Sequence, residues 1–494
     1  MRRIGLLEQT QSLDALTGAL GRPGPALVFV SQSTELGIPS VLASALSGTP
    51  LVHLACSELS DLEHREQLDL ILSRAFGPGP PPAPASPFGT PSGPVPEWGE
   101  LVASVPVRGS ASEEGGSSGG HSGGSTGSVR AVVLTEAQRL AVANPRFLDE
   151  LAEGWESVRR DSRPVILALC FGPGGIPQEI RSRSTRLMDL GSVSIDEDPL
   201  TIRGVAESVP DWKPVTRMLT WALFGGARGR IALLDPARSL RRNVERLLLN
   251  PEGPLHREMD GFLRRPSLTQ PARYATALGL VARGARDWRD IRRGLESRGQ
   301  GRPGPYVAKL RDLDILRASQ SLDAVGGQRS TRYHVADPLV RAWFAWVLPH
   351  RSRLLAGELR EVWESVLKPE LHRALPGMLP RAIVELLTFR GLEKVGPRAR
   401  VAGGLWGAGY DIPVAATLRN GAICYGTVRD DWAPTSGMDL ERLSAHMRET
   451  RYGFGREVRL RVLASLVGHH PDLERTAARD ERVRLVGPTD LVGD

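Results

Sequence analysis

Short apolar runs, separated by stretches with helical periodicity, dominate the N-terminal third of the chain. The runs cover residues 26–30, 51–55, 131–134 and 164–169. Apolar runs of this length, without alternating polar residues, are typical of strands buried on both faces of a parallel sheet. The helical stretches cover 8–20, 40–47 and 60–76. Strands that alternate with helices therefore predict an α/β fold with a parallel sheet covered on both faces.

Residues 77–127 change sharply in composition. Proline, glycine and serine dominate there, and such sequence buries too little apolar surface to offset the entropy lost on ordering. We predict a disordered insertion with one helical island at 97–105. Further along, 200–265 is helical, 272–336 follows the order helix, helix, helix, hairpin, and the remainder returns to mixed α and β.

Composition and charge narrow the function only slightly. The chain of 494 residues carries a formal net charge of +7, from 63 basic and 56 acidic residues, and only four of the basic residues are lysines. This excess is small and spread out, so it is weak support for DNA binding. The three cysteines lie far apart, which predicts neither a disulfide framework nor a zinc site and makes a reducing cytoplasm the default. We expect no signal peptide and no membrane span.

The turn after the first apolar run lies where a nucleotide-binding P-loop would lie. Such a loop holds phosphates with backbone N–H groups, a lysine and a Ser/Thr hydroxyl that binds magnesium. Here Gly37 is present, but the first glycine position is Gln32, the lysine position is Ile38 and the hydroxyl position is Pro39. Proline also removes a backbone N–H from the anion-binding turn.

The run 131–134 shows a similar loss. An NTPase places Asp-Glu after this strand, the aspartate for magnesium and the glutamate for the attacking water. The chain has Thr135 at the first position and retains only Glu136. We interpret the region as a strand–turn–helix with a vestigial phosphate site, and we expect no cofactor. The alternative is an atypical site that still binds ATP and magnesium.

A longer motif gives a family resemblance. Residues 333–349 read Tyr-His-Val-Ala-Asp-Pro-Leu-Val-Arg-Ala-Trp-Phe-Ala-Trp-Val-Leu-Pro. This stretch resembles the signature of a family of archaeal and bacterial P-loop ATPases of the AAA-related STAND type. The leucine-rich run at 247–255 and the segment 271–274 are similar to the family in register. The resemblance spans nearly the whole chain outside 77–127.

The resemblance implies the order of domains. A P-loop ATPase-like core would cover 1–198, with the insertion at 77–127. A helical lid at 199–268 and a winged helix at 269–336 would follow. The last part, 337–494, would be an α/β domain similar to PD-(D/E)XK nucleases.

The resemblance also implies a metal site in that last domain, but the chain departs from the family's motif there. Asp411 matches the nuclease family's metal aspartate. The next strand offers Gly426 and Val428 where the family has E-x-K, and Val384 stands at the upstream glutamate position, with Glu385 one step away. A lone acid is a poor magnesium site. We therefore expect no bound metal, no magnesium-dependent cleavage, and a structural role for Asp411 such as capping a turn.

The winged-helix segment leaves two interpretations open. It is either a packing module between two domains or a DNA-binding element, although Asp312 and Asp314 would oppose phosphates. The basic residues that would contact DNA are Arg289, Arg292, Arg293, Lys309, Arg329 and Arg332.

The sequence thus leads to three functional hypotheses. The first is a non-catalytic ATPase-like scaffold or regulator that binds a protein or DNA. The second is an ATP-binding hydrolase with an atypical nucleotide site. The third is a DNA-binding protein that works through its winged helix. We expect a protein partner first, DNA second and no membrane.

Overall fold

The computed structural model forms two compact units, one within Gln9–Asp198 and the other within Pro199–Asp494. The structure describes residues 10–21, 24–31, 38–57, 59–76, 95–105, 130–172, 185–191, 193–196, 199–264, 268, 270–299, 304–324, 331–429, 431–456 and 458–493. Within these ranges, no helix is long and apolar enough to cross a bilayer.

A parallel sheet forms the centre of the first unit. Its strands are β1 (Ala26–Ser31), β2 (Leu51–Ala55), β3 (Arg130–Thr135), β4 (Val165–Phe171) and β5 (Val193–Asp196), in the order β2-β3-β4-β1-β5. All neighbouring pairs run parallel. The predicted parallel α/β sheet is confirmed, and β5 is a strand that the sequence analysis missed. Because β5 is an edge strand of only four residues that alternates apolar and polar, it forms no apolar run.

Helices cover both faces of this sheet. They are α1 (Thr10–Leu20), α2 (Ser40–Ala45), α3 (Asp61–Phe76), α4 (Trp98–Ala103), α5 (Gln138–Ala143), α6 (Phe147–Arg160) and α7 (Thr185–Asp189). Along β1, Leu27 and Phe29 enter one apolar cluster, whereas Val28 and Val30 enter the cluster on the opposite face. This alternation is what a strand with two buried faces requires.

The helical island at 97–105 is present as α4, and it belongs to the core. Trp98 is fully buried, its ring lies 5.0 Å from that of Phe147, and its Nε1 donates to Asp61 at 2.7 Å. A Cβ at Gly99 would lie 2.5 Å from the carbonyl oxygen of Glu150, so α4 and α6 touch through their backbones. The composition of 77–127 does not predict that α4 is buried. The rest of the expected insertion, 77–94 and 106–127, lies outside the described residues.

The second unit begins with helices and continues into a hairpin. The first helices are α8 (Ile202–Ala206), α9 (Pro214–Phe224), α10 (Arg228–Ile231), α11 (Leu240–Val244), the π-helical Glu245–Leu249, α12 (Pro254–Gly261) and the 3₁₀ turn Phe262–Arg264. Then come α13 (Pro271–Ala282), α14 (Trp288–Glu296), α15 (Gly304–Asp312) and the antiparallel strands β6 (Leu316–Ser319) and β7 (Arg332–Val335).

The C-terminal part of this unit contains a mixed sheet. Its strands are β8 (Ala399–Gly407), β9 (Tyr410–Leu418), β10 (Ile423–Val428), β11 (Arg459–Ala464) and β12 (Val483–Val486), in chain order across the sheet. The first three strands are antiparallel, and β10, β11 and β12 are parallel. This confirms the predicted C-terminal α/β domain.

Helices precede, connect and follow these strands. They are α16 (Pro338–Ala342), the π-helical Trp343–Val347, the 3₁₀ turn Leu348–His350, α17 (Arg351–Leu355), α18 (Leu359–Val362), the π-helical Trp363–Leu367, α19 (Lys368–Phe389), α20 (Gly437–Glu449), α21 (Pro471–Arg479) and α22 (Pro488–Val492).

Candidate functional site

The carboxyl ends of parallel strands are where α/β proteins bind ligands, and β1 ends here at the P-loop position. Gln32 and Gly37 lie outside the described residues. Ile38 packs against the apolar cluster that contains Val28 and Val30. Pro39 is buried and lies directly before α2, where its carbonyl accepts from the N–H of Ala43 at 2.9 Å. The residue at the lysine position is therefore a core contact.

Thr135 occupies the position of the magnesium aspartate at the end of β3. Its side chain is buried, and its Oγ1 lies 2.9 Å from Nε2 of His53 in a hydrogen bond. Burial lowers the pKa of His53, which favours the neutral imidazole. A neutral hydroxyl–imidazole pair thus stands where a magnesium site needs a carboxylate.

Glu136 follows β3 in the left-handed backbone region, with a φ of 57°. Its carboxylate forms an ion pair with Arg139 at the start of α5. The thiol of Cys56 has its pKa raised to about 12 by burial and, secondarily, by the charge of Glu136. The carboxylate that would activate water in an NTPase is therefore engaged here by a neighbouring arginine.

The basic residues of α14 face solvent. Arg289, Arg292 and Arg293 are all exposed, while Ile291 and Leu295 on the same helix are buried. The ion pairs of these arginines are long, 3.9 Å from Arg292 to Glu296 and 4.0 Å from Arg293 to Asp290. Lys309 on α15 is half-buried, and Arg329 lies outside the described residues.

Arg332 and Asp411, which the sequence analysis assigned to different functions, bind each other. Two nitrogens of Arg332 donate to the two carboxylate oxygens of Asp411, at 2.8 and 3.1 Å. The guanidinium carbon also lies 4.5 Å from the ring centroid of Trp406. The structural role of Asp411 is therefore an ion pair with β7, whereas the sequence analysis had suggested capping of a turn.

The other nuclease positions do not complete a metal site. Glu385, on α19, accepts from Arg381 at 2.8 Å. Gly426 on β10 lies so close to β9 that a Cβ would be 3.0 Å from that of Val414. In the described ranges, no group of three or more His, Cys, Asp or Glu side chains could hold a metal ion.

Asp337, the aspartate of the 333–349 motif, belongs to an ion cluster around the buried Arg230 that the sequence analysis missed. Asp337 caps α16 through the N–H of Leu339 at 2.8 Å and also accepts from Arg230, which pairs with Glu258 at 2.7 Å. Burial alone would lower the pKa of Arg230, but the two carboxylates outweigh it and raise the pKa. These partners are 107 and 28 residues from Arg230 in sequence, so no local pattern could have revealed them.

The comparisons with known proteins come from solved structures. No protein-family model and no curated protein matches the chain. A Walker-type ATPase of Pyrococcus abyssi is 15% identical over 68% of this chain and 95% of its own, with a TM-score of 0.43. The ORC2 protein of Aeropyrum pernix, in ADPNP and ADP complexes, is 11% identical over 71% and 94%, with a TM-score of 0.43. The ORC1 protein of Aeropyrum pernix in complex with DNA is 17% identical over 72% and 95%, with a TM-score of 0.32.

TM-scores this low carry no argument about function. The function of this chain must therefore be inferred from its own residues.

Proposed function

We propose that this chain is a non-catalytic protein with an ATPase-like core that acts as a scaffold or regulator and binds a protein or DNA. The observation that carries the proposal is that Ile38, at the lysine position, is half-buried and packs against the apolar cluster on one face of the sheet. An isoleucine there offers no charge to the β- and γ-phosphates. Removing one preorganised electrostatic partner typically lowers a rate by about 10²–10³, and several partners are missing here.

The remaining groups at this edge of the sheet support the same conclusion. Thr135 is bonded to His53 and Glu136 is paired with Arg139. Neither pair offers the arrangement of one aspartate for magnesium and one glutamate for water. The dipole at a helix N-terminus still attracts anions, by about 0.3–1 kcal/mol. Because micromolar affinity needs about 8 kcal/mol, we expect nucleotide binding in the millimolar range at best.

Calorimetric titration with ATP and magnesium, combined with a turnover assay, tests this proposal. We expect no turnover above background and no micromolar binding. Micromolar binding, or a turnover rate that falls in the Glu136→Ala variant, would contradict it and favour an atypical ATP-binding hydrolase.

A restored site provides the positive control. It combines Gln32→Gly, Ile38→Lys, Pro39→Thr and Thr135→Asp. This variant should bind ATP more tightly than the unmodified chain, because it returns the lysine, the hydroxyl and the magnesium carboxylate together.

DNA is the second candidate partner, and the exposed arginines of α14 favour it. Helices α13, α14 and α15 followed by the β6–β7 hairpin support the winged-helix interpretation of 269–336. Arg289, Arg292 and Arg293 of α14 are exposed, whereas Ile291 and Leu295 of the same helix are buried. The three side chains are exposed, and the ion pairs of Arg292 and Arg293 are long, so these groups are accessible to phosphates.

A further inference from the structure

The guanidinium of Arg332 lies in a site built by two neighbouring strands. Trp406 of β8 offers its ring face, and Asp411 of β9 offers both carboxylate oxygens, at the distances given above. Trp406 and Asp411 are direct partners in the β8–β9 ladder. Stacking on an aromatic face together with bidentate pairing matches the planar guanidinium and would fit a lysine ammonium poorly.

Neighbouring groups fix the position of this site. The backbone carbonyl of Asp411 lies 2.8 Å from Nδ1 of His446 on α20. Beside it, the hydroxyl of Tyr410 donates to Asp323 at 2.8 Å, and Asp323 also accepts from Thr450. A carboxylate whose backbone and neighbours are anchored in this way binds an arginine with little further loss of entropy.

The residues that follow β6, the other strand of the hairpin, also contact β8 and β9. After β6, the N–H of Leu322 donates to the carbonyl of Gly404 at 3.0 Å, and the Leu322 side chain packs against the apolar cluster that includes Leu405. The hydroxyl of Ser321 accepts from the N–H of Trp406 at 2.9 Å. Both ends of the β6–β7 connection therefore lie on β8 and β9.

The ion pair remains open to solvent, because 33% of the Arg332 side chain and 52% of the Asp411 side chain are exposed. A phosphate can therefore compete with Asp411 for the arginine. We propose that Trp406 and Asp411 form an arginine-binding site that Arg332 fills in cis, and that nucleic acid must compete with this site for Arg332. The competition rests on the candidate DNA-binding function, whereas the arginine site does not.

Amide hydrogen exchange of β7 in the full chain tests the arginine site without DNA. Asp411→Asn removes the charge with little change of shape, and Trp406→Leu removes the stacking face. Asp431→Asn is the matched control, since Asp431 is 51% exposed and accepts two bonds from Arg429, at 2.8 and 2.6 Å. Exchange over 332–335 should be about twofold to fivefold faster in the first two variants and unchanged in the control. Equal exchange in Asp411→Asn and Asp431→Asn overturns the site.

Binding of a duplex DNA oligonucleotide at low salt tests the competition. Asp411→Asn should bind about twofold to fivefold more tightly than Asp431→Asn, which has the same net charge, and Arg332→Gln added to Asp411→Asn should abolish the gain. Equal affinity of the two single variants overturns the competition. If no variant binds DNA while β7 exchanges faster in Asp411→Asn, the DNA-binding function and the competition are both wrong and the arginine site stands.

Discussion

At the scale of single residues, His334 on β7 gives a test by pH. Its pKa is lowered to about 4, from an ordinary 6.5, first by burial and then by the nearby charges of Arg381 and Arg317. The unfolded chain therefore binds this proton more readily than the folded chain. The contribution of neutral His334 to stability is complete above about pH 6.5 and is lost as the pH falls from about 6.5 to about 4.

We expect His334→Gln to flatten the pH dependence of the unfolding free energy over that window. Urea denaturation at a series of pH values, on the variant and the unmodified chain in parallel, measures the difference. The pKa of other histidines is lowered too, so the comparison between the two proteins is the informative quantity. Two curves of the same shape would show that His334 titrates alike in the folded and unfolded chain.

The sequence does not predict which charged residues pair with each other. The losses at Ile38, Pro39 and Thr135 are visible as residue types at fixed spacing from a predicted strand. The partners of Arg332 and of Arg230 are not visible in this way, because an ion pair between residues 79 or 107 positions apart depends on the tertiary fold. A sequence pattern identifies groups that could be charged or bind, and packing decides which of them meet.

At the scale of elements, periodicity predicted the strands with two buried faces and missed elements with a weaker pattern. β1 and β4 are continuous apolar runs. β5 is short, and α4 is a six-residue helix within a segment dominated by proline, glycine and serine. The burial of α4 comes from its tertiary contacts with α6 and α3, so composition averaged over 77–127 could not predict it.

The α4 helix gives a prediction about stability. Trp98→Ala removes a fully buried indole that packs on Phe147 and donates to Asp61. We expect this change to lower the free energy of unfolding by about 3–5 kcal/mol. Deletion of 109–127 should leave the melting temperature almost unchanged. Thermal and urea unfolding measure both variants.

Each of these two variants can fail separately. A Trp98→Ala protein as stable as the unmodified chain would mean that α4 contributes little to the first unit. A large fall in melting temperature on deletion of 109–127 would mean that this tract packs on the folded domain.

At the scale of the whole molecule, the fold agrees with the predicted fold class, whereas the residues at the candidate sites differ from those that an ATPase or a nuclease needs. The parallel sheet and the mixed C-terminal sheet are both present, as the fold class predicted. A fold does not determine a function, which depends on the residues at its sites. Here Ile38 occupies the lysine position and Thr135 the magnesium-aspartate position of the first sheet. In the C-terminal sheet, the carboxylate of Asp411 binds Arg332.

The net charge of the whole chain also bears on which partner it binds. The net charge of +7 is modest for 494 residues, so any DNA binding must come from a local cluster of basic groups. The exposed face of α14 is such a cluster. Changing Arg289, Arg292 and Arg293 together to glutamine removes three positive charges from it. The matched control changes Arg475, Arg479 and Arg482 to glutamine, since these arginines lie on or after α21, away from the winged-helix segment in sequence.

Affinity for duplex DNA, measured at several salt concentrations, distinguishes the two triple variants. Each phosphate contact contributes about −0.9 to the slope of log affinity against log salt. If all three arginines of α14 touch phosphates, the α14 variant should lose about two to three units of slope, and the loss should be similar for unrelated DNA sequences, because phosphate contacts do not read bases. The control variant should retain the slope of the unmodified chain.

Equal losses of slope in both variants would show that the binding comes from charge spread over the whole surface. No measurable binding by the unmodified chain at low salt would exclude DNA as the partner and leave a protein as the ligand of the scaffold.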